Sequence, residues 1–214
     1  MNTYFEDADT KSWELPSEHS ADDVRLSEDV LKKYICSLTQ PGDLVFDPFA
    51  GFGTTLVVAE RLERRGLGYE ILEARARYAN SIISSSSNVI CSDIQNIELD
   101  QLPLIDLCIS SPPYMNKTDA EDPLSGYADP IGTYEEYIAK LCAIYTSIGK
   151  RLNEDGHLVI QIQNLQTDQG ITPLAFDLYN AIGSDLAFVS EDITIWDTKC
   201  YGYTHGYCFI YRGA

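Results

Sequence analysis

Short apolar runs alternate along this chain with segments whose apolar residues recur every three or four positions. Val30, Leu31, Tyr34, Ile35 and Leu38 recur at helical spacing behind Ser27, whose side chain suits a helix N-cap, and Pro41-Gly42 stops the helix. Leu44-Val45-Phe46 is an unbroken apolar run of strand type, and Leu56, Val57, Val58, Ala59 and Leu62 follow as a second helical stretch. The same alternation predicts a strand over 66–70, a helix over 72–82, a strand at Val89-Ile90-Cys91 leading to Asp93, and a strand over 105–109 leading to Ser111. Thr133 is placed to cap a helix carrying Tyr137, Leu141, Ile144, Tyr145 and Ile148. Asn153-Glu154-Asp155-Gly156 reads as a turn, 157–162 as a buried strand, and Pro173 as the opening of a helix to Ile182. Leu186–Trp196 and Tyr207–Tyr211 read as two closing strands joined by an aromatic loop, 197–206.

Seven strands with helices between the first five predict an α/β fold: a mostly parallel sheet, helices on both faces and an antiparallel end. Ligands of such sheets sit outside the carboxyl ends of the strands, where the strand order reverses. Three stretches fall outside the pattern. Residues 1–23 set Glu6, Asp7, Asp9, Glu14, Glu18, Asp22 and Asp23 against a single Lys11, which predicts an irregular acidic arm pinned by Trp13 and Leu15. Ser84–Ser87 is a polar linker. Residues 115–132 carry two prolines and two glycines and read as a long mobile loop. The expected organisation is the arm, 1–23, followed by a single catalytic domain over 24–214 without a separate target-recognition domain.

The chemistry gathers at the strand ends. After the first strand stands Asp47-Pro48-Phe49-Ala50-Gly51-Phe52-Gly53-Thr54-Thr55, a glycine turn that lets backbone approach a ligand while the new helix offers free N–H groups. Glu70 ends the second strand, at the distance where a carboxylate accepts both hydroxyls of a ribose. Asp93, with Ile94 after it, ends the third and is placed to take an adenine amine. No Lys follows the turn as a P-loop requires, and the G-x-G-x-x-G spacing of a dinucleotide site is missing. Asp47 would repel a pyrophosphate but suits the amino group of a methionine moiety, so S-adenosyl-L-methionine fits better than ATP or NAD.

The fourth strand ends in Ser111-Pro112-Pro113-Tyr114. An exocyclic amine is a poor nucleophile because its lone pair is delocalised into the ring. Acceptors for its hydrogens, here the Ser111 hydroxyl and the Pro112 carbonyl, favour a pyramidal nitrogen and free that lone pair. The prolines fix the backbone that aims them, and Tyr114 offers a flat face to an extruded base.

Together the glycine turn and S-P-P-Y resemble the S-adenosylmethionine-dependent DNA amino-methyltransferases that modify cytosine N4 or adenine N6, over about residues 19–212. The resemblance implies a seven-stranded, Rossmann-like class I methyltransferase sheet. It assigns the cofactor to Asp47, Pro48, Phe49, Ala50, Gly51, Gly53, Thr54, Thr55, Glu70, Asp93 and Ile94, and catalysis to Ser111, Pro112, Pro113 and Tyr114, with no metal. Ser in the first motif position leans the target toward cytosine. The helix over 26–38 resembles the segment closing over the methionine end of the cofactor, and His205-Gly206-Tyr207 resembles the family's final motif. Phe52 departs from the small residue usual between the glycines. The same fold on an RNA base or a protein glutamine, or a non-catalytic methyltransferase-like subunit, are the competing readings.

Charge complicates the nucleic-acid reading. With 33 acidic and 15 basic residues the formal charge is −18, and the pI is about 4.3, whereas phosphate contacts need Lys and Arg. Either the charge serves solubility, or a protein partner supplies basic surface and target recognition to a DNA, less readily an RNA, substrate. Lys117 and Lys199, in the two loops flanking the expected site, either touch phosphate or stay solvated; Trp196, Tyr201, Tyr203 and Tyr207 either stack substrate or pack the sheet. No apolar run approaches the roughly 20 residues of a membrane span, and the N-terminus lacks a basic and then apolar leader. The 6 cysteines show no C-x-x-C pair and read as reduced thiols in a cytoplasmic protein. His19, His157 and His205 lack metal-ligand spacing.

Overall fold

The computed structural model describes residues 4–7, 11–17, 25–98, 101–126 and 132–213. Its main sheet is built from β1 (Tyr4–Glu6), β2 (Leu44–Asp47), β3 (Arg65–Glu70), β4 (Ser87–Cys91), β5 (Ile105–Ser110), β6 (Leu152–Ile162), β9 (Ala187–Cys200) and β10 (Tyr203–Arg212). β7 (Leu165–Thr167) and β8 (Gly170–Thr172) form a separate hairpin. The main sheet runs β1-β9-β10-β6-β5-β2-β3-β4, and β10 is antiparallel to both its neighbours. This is the parallel sheet with an antiparallel last strand that the alternation predicts, with one strand added.

Among the described residues the α-helices are α1 (Glu28–Leu38), α2 (Thr54–Arg61), α3 (Glu73–Ile82), α4 (Tyr134–Gly149) and α5 (Leu174–Ile182). Ser27 caps α1 by accepting the Asp29 N–H, and Thr133 with Glu136 forms a reciprocal capping box on α4. The side chains of β2, β5 and β6 alternate between the two faces. Val45, Leu107, Ile109 and Val159 pack with Val30, Leu31 and Ile35 of α1 and Val58 of α2. Phe46, Cys108, Leu158 and Ile160 pack with Tyr137, Leu141 and Tyr145 of α4 and Leu178 of α5. Helices therefore cover both faces, and the strand order reverses between β2 and β5.

Four expectations need correction. The acidic arm is not wholly irregular, because Tyr4–Glu6 adds to the sheet edge in parallel with Ile193–Ile195. Beyond it, Leu15 is buried and Arg25 and Arg61 both lie over the Trp13 ring, with guanidinium carbons 4.8 and 5.5 Å from its centroid. Asn153–Gly156 is not a turn between elements but part of β6. There Leu152 faces Ile105 and His157 faces Leu107, so the tetrapeptide opposes one residue as a wide irregularity. The aromatic loop shrinks to Tyr201-Gly202, both at positive φ (48° and 86°), the backbone of a tight hairpin turn. Finally, the described part of the loop after β5, 115–126, is packed down: Met115, Asp122 and Leu124 are buried, and Lys140 pairs with Asp122 at 2.5 Å. His19 lies outside the described residues.

Candidate active site

A cleft of about 520 Å³ opens where the sheet order reverses, within the size range of small-molecule sites. Its floor is the turn after β2. Asp47 is 4% exposed and holds that turn closed, accepting the Phe49 N–H on Oδ1 (3.0 Å) and the Thr55 hydroxyl on Oδ2 (2.6 Å). Burial pushes its carboxyl up to about 7, against the lowering effect of those two donors; the nearby Glu70 charge adds to the rise. Asp47 thus first builds the turn, and only its remaining lone pairs face a ligand.

Glu70 closes the second side. Its Oε2 accepts the Gly51 N–H (2.9 Å) and its Oε1 the Leu72 N–H (2.8 Å). Burial raises its pKa, while the Leu72 donor and the Arg75 charge oppose the rise. Asp93 caps a short 3₁₀ turn, 94–96, through the Gln95 N–H. Ile71, Leu72, Ile94 and Leu124 give this end of the cleft apolar walls.

Pro48, Phe49, Ala50, Gly51, Thr54 and Thr55 line the cleft with Asp47, Glu70, Asp93 and Ile94. Gly53 is the exception among the residues expected to bind the cofactor and does not line it. Its φ is +82°, it precedes α2, and a Cβ there would lie 2.9 Å from the Ala79 Cβ, so this glycine lets α2 approach α3. Phe52 now has an explanation. It is buried, edge-on to Tyr78 at 5.8 Å, and Arg75 lies over its ring at 5.1 Å. The large residue between the glycines thus seats the arginine whose charge acts on Glu70.

Across the cleft stand Ser111, Pro112, Pro113 and Tyr114. The Tyr137 hydroxyl donates to the Pro113 carbonyl (2.7 Å), so α4 holds this turn from behind. Ser111 Oγ lies 3.3 Å from the Tyr114 hydroxyl, which donates to Gln161 Oε1 at 3.3 Å. Tyr201 packs edge-on to Tyr114 with ring centroids 5.8 Å apart.

Several lining residues went unpredicted. Gln161 comes from the end of β6 and Gln163 from just past it, Cys200 from the end of β9, and Arg25 precedes α1. Only the pairing of strands distant in sequence brings them here. Of the four aromatics in question, Trp196 and Tyr201 line the cleft, whereas Tyr207 stacks on Phe209 and Tyr203 packs on His205. Lys199 lines it too; Lys117 is committed to Asp177 at 3.2 Å.

The cofactor that the fold and the resemblance imply is S-adenosylmethionine, and the residues present fit it. The buried Thr54 hydroxyl has no hydrogen-bond partner at the start of α2, two carboxylates lie at β2 and β3, and an apolar slot lies between Ile71 and Leu124.

The architecture is that of the class I S-adenosylmethionine-dependent methyltransferases. A TehB-like methyltransferase from Corynebacterium glutamicum superposes with a TM-score of 0.59 at 13% identity, covering 92% of this chain and 93% of that one. The N-methyltransferase NodS from Bradyrhizobium japonicum, solved with S-adenosyl-L-homocysteine, gives 0.59 at 12% identity, covering 87% and 85%. In sequence, residues 2–81 match the DNA methylase family of N6 and N4 methyltransferases, and over that stretch the resemblance to the DNA amino-methyltransferases stands. The type II methyltransferase M.BglII of Bacillus subtilis is 42% identical over 57 residues, 27% of this chain and 16% of that protein. M.BamHI of Bacillus amyloliquefaciens is 42% identical over 60 residues, 26% of this chain and 14% of that protein. The matched segment thus spans a small fraction of these curated relatives. Among the described residues no helix is long and apolar enough to cross a membrane.

Proposed function

We propose that the chain methylates an exocyclic amine of a nucleic-acid base, cytosine N4 in preference to adenine N6, in DNA. One observation carries the reading: the S-P-P-Y turn and the Asp47–Thr55 turn face each other across one cleft. When bound, S-adenosylmethionine supplies an electrophilic methyl group. Asp47, Gly51 and Thr54 would hold its methionine end, Glu70 the ribose, and Asp93 with Ile94 the adenine. Ser111 and the Pro112 carbonyl, the proline carbonyl that Tyr137 does not take, orient the target amine, and Tyr114 carries the base on its ring face.

The charge of −18 supports a division of labour in which a basic partner holds the phosphates while this chain does the chemistry. Incubation with labelled cofactor and separate DNA, RNA and protein pools, followed by mass analysis of the products, tests the reading. Methylcytosine or methyladenine from DNA is the expected product; label confined to protein or RNA would sink it. Ser111→Ala and Tyr114→Ala should abolish labelling and leave cofactor binding by calorimetry nearly intact.

A further inference from the structure

We propose that Gln161 is a positioning residue that fixes the polarity of Ser111 through the Tyr114 hydroxyl, so that Ser111 meets the target amine as an acceptor. The inference rests on the base-amine reading above and deepens it.

Tyr114 lies between two partners, with Ser111 Oγ at 3.3 Å and Gln161 Oε1 at 3.3 Å. An amide oxygen only accepts, so the phenol must give its single hydrogen to Gln161. The phenol oxygen then has only lone pairs to offer Ser111, which must donate its own single hydrogen to Tyr114. Committed in that direction, the serine presents lone pairs alone to the cleft. An exocyclic amine presents N–H groups, and the two fit. With the chain reversed, Ser111 would set an O–H against an N–H, and the amine would lose the acceptor that localises its lone pair.

Two further features support the arrangement. Burial raises the Tyr114 pKa above that of an ordinary tyrosine, so the phenol keeps the proton the chain needs. Gln161 is itself enclosed, 8% exposed, and Gly206 leaves it room: a Cβ there would stand 3.2 Å from Gln161 Nε2 and 2.8 Å from the Trp196 ring. That gives the glycine of the His205-Gly206-Tyr207 stretch a task at the site. Ser110, one residue before Ser111, pairs with Tyr145 at 3.0 Å.

The test compares Gln161→Met, which keeps length and removes the acceptor, with Gln161→Glu, which keeps an acceptor. Each full-length variant is assayed for kcat and KM on the DNA the wild type labels, for cofactor affinity by calorimetry, and by NMR with labelled tyrosine for the Tyr114 hydroxyl proton. Gln161→Met should lower kcat on the order of tenfold or more, with KM and cofactor affinity unchanged and the protected proton lost. Gln161→Glu should restore both the proton and most of kcat. Wild-type kcat in Gln161→Met, equal loss in the two variants, or a wild type without the protected proton would each overturn the proposal. A wild type that shows the proton, loses it in Gln161→Met and yet labels no base supports the relay and overturns the base-amine reading instead.

Discussion

The Gly51 N–H donates to Glu70 Oε2 at 2.9 Å, tying the glycine turn after β2 to the last residue of β3. Glu70 also receives the Leu72 N–H on its other oxygen (2.8 Å). One carboxylate therefore shapes both the floor and the side of the cleft before any ligand arrives. Glu70→Gln would replace one oxygen by an NH₂ group and set donor against donor at one of these N–H groups. The expected cost is about 1–3 kcal/mol of stability, with cofactor affinity at least about tenfold weaker by calorimetry. Wild-type affinity in this variant would remove Glu70 from the ribose role.

Asp47 gives the fold a pH dependence of definite sign. Burial pushes its carboxyl up to about 7 in the folded chain, against an ordinary 3.8. Between those values the folded chain holds a proton that the unfolded chain has released, so this group makes stability fall as pH rises through the window. The loss is on the order of 4 kcal/mol, complete above about pH 7 and absent below about pH 4. Denaturant unfolding from about pH 4 to about pH 8 should show the decline, and Asp47→Asn should flatten it. Other carboxylates repel one another as they ionise, so only the difference between wild type and variant tests Asp47. Equal slopes in the two would place its pKa in the ordinary range.

The two glycines of the turn should respond differently to alanine. Gly51 has φ +53° and open space around its Cβ direction, with only the Phe49 carbonyl at 4.0 Å. Gly51→Ala is expected to cost about 1–2 kcal/mol from the backbone alone and to weaken cofactor binding, because the new methyl enters the cleft. Gly53→Ala meets the Ala79 Cβ at 2.9 Å as well as its own φ of +82°. Its stability loss should exceed that of Gly51→Ala and reach about 3 kcal/mol. Thermal unfolding of both variants checks the order, and the reverse order would contradict the packing of α2 on α3.

How far the chain could be read in advance depended on whether a feature is local. Ser27 and Thr133 cap helices as expected, since a cap is a contact within four residues. Leu44–Phe46 announced a buried strand, and the acids at the ends of β2 and β3 do line the cleft. Tyr4–Glu6 could not be read as a strand, because its partner is Ile193–Ile195 at the far end of the chain. The β7–β8 hairpin was missed for a different reason: Gln166, Thr167, Gly170 and Ile171 are exposed, so no apolar alternation marks it. Gln161 is a polar position in an apolar strand and Gln163 follows just past its end, the one sign that could have pointed to a cleft wall.

Phe52 supplies the last test. It is 4% exposed, lies edge-on to Tyr78 and carries Arg75 over its ring. Phe52→Ala should cost about 3 kcal/mol as a buried aromatic truncation, which by itself says nothing of the site. Phe52→Leu keeps most of the volume and removes the ring, both its face under Arg75 and its edge contact with Tyr78. That charge opposes the rise in the Glu70 pKa, so an unseated arginine leaves Glu70 less ionised and the ribose end weaker. Phe52→Leu and Arg75→Gln should therefore weaken cofactor binding to a similar degree, and the double variant no more than either alone. Additive losses by calorimetry would mean that Phe52 meets the cofactor directly rather than through Arg75.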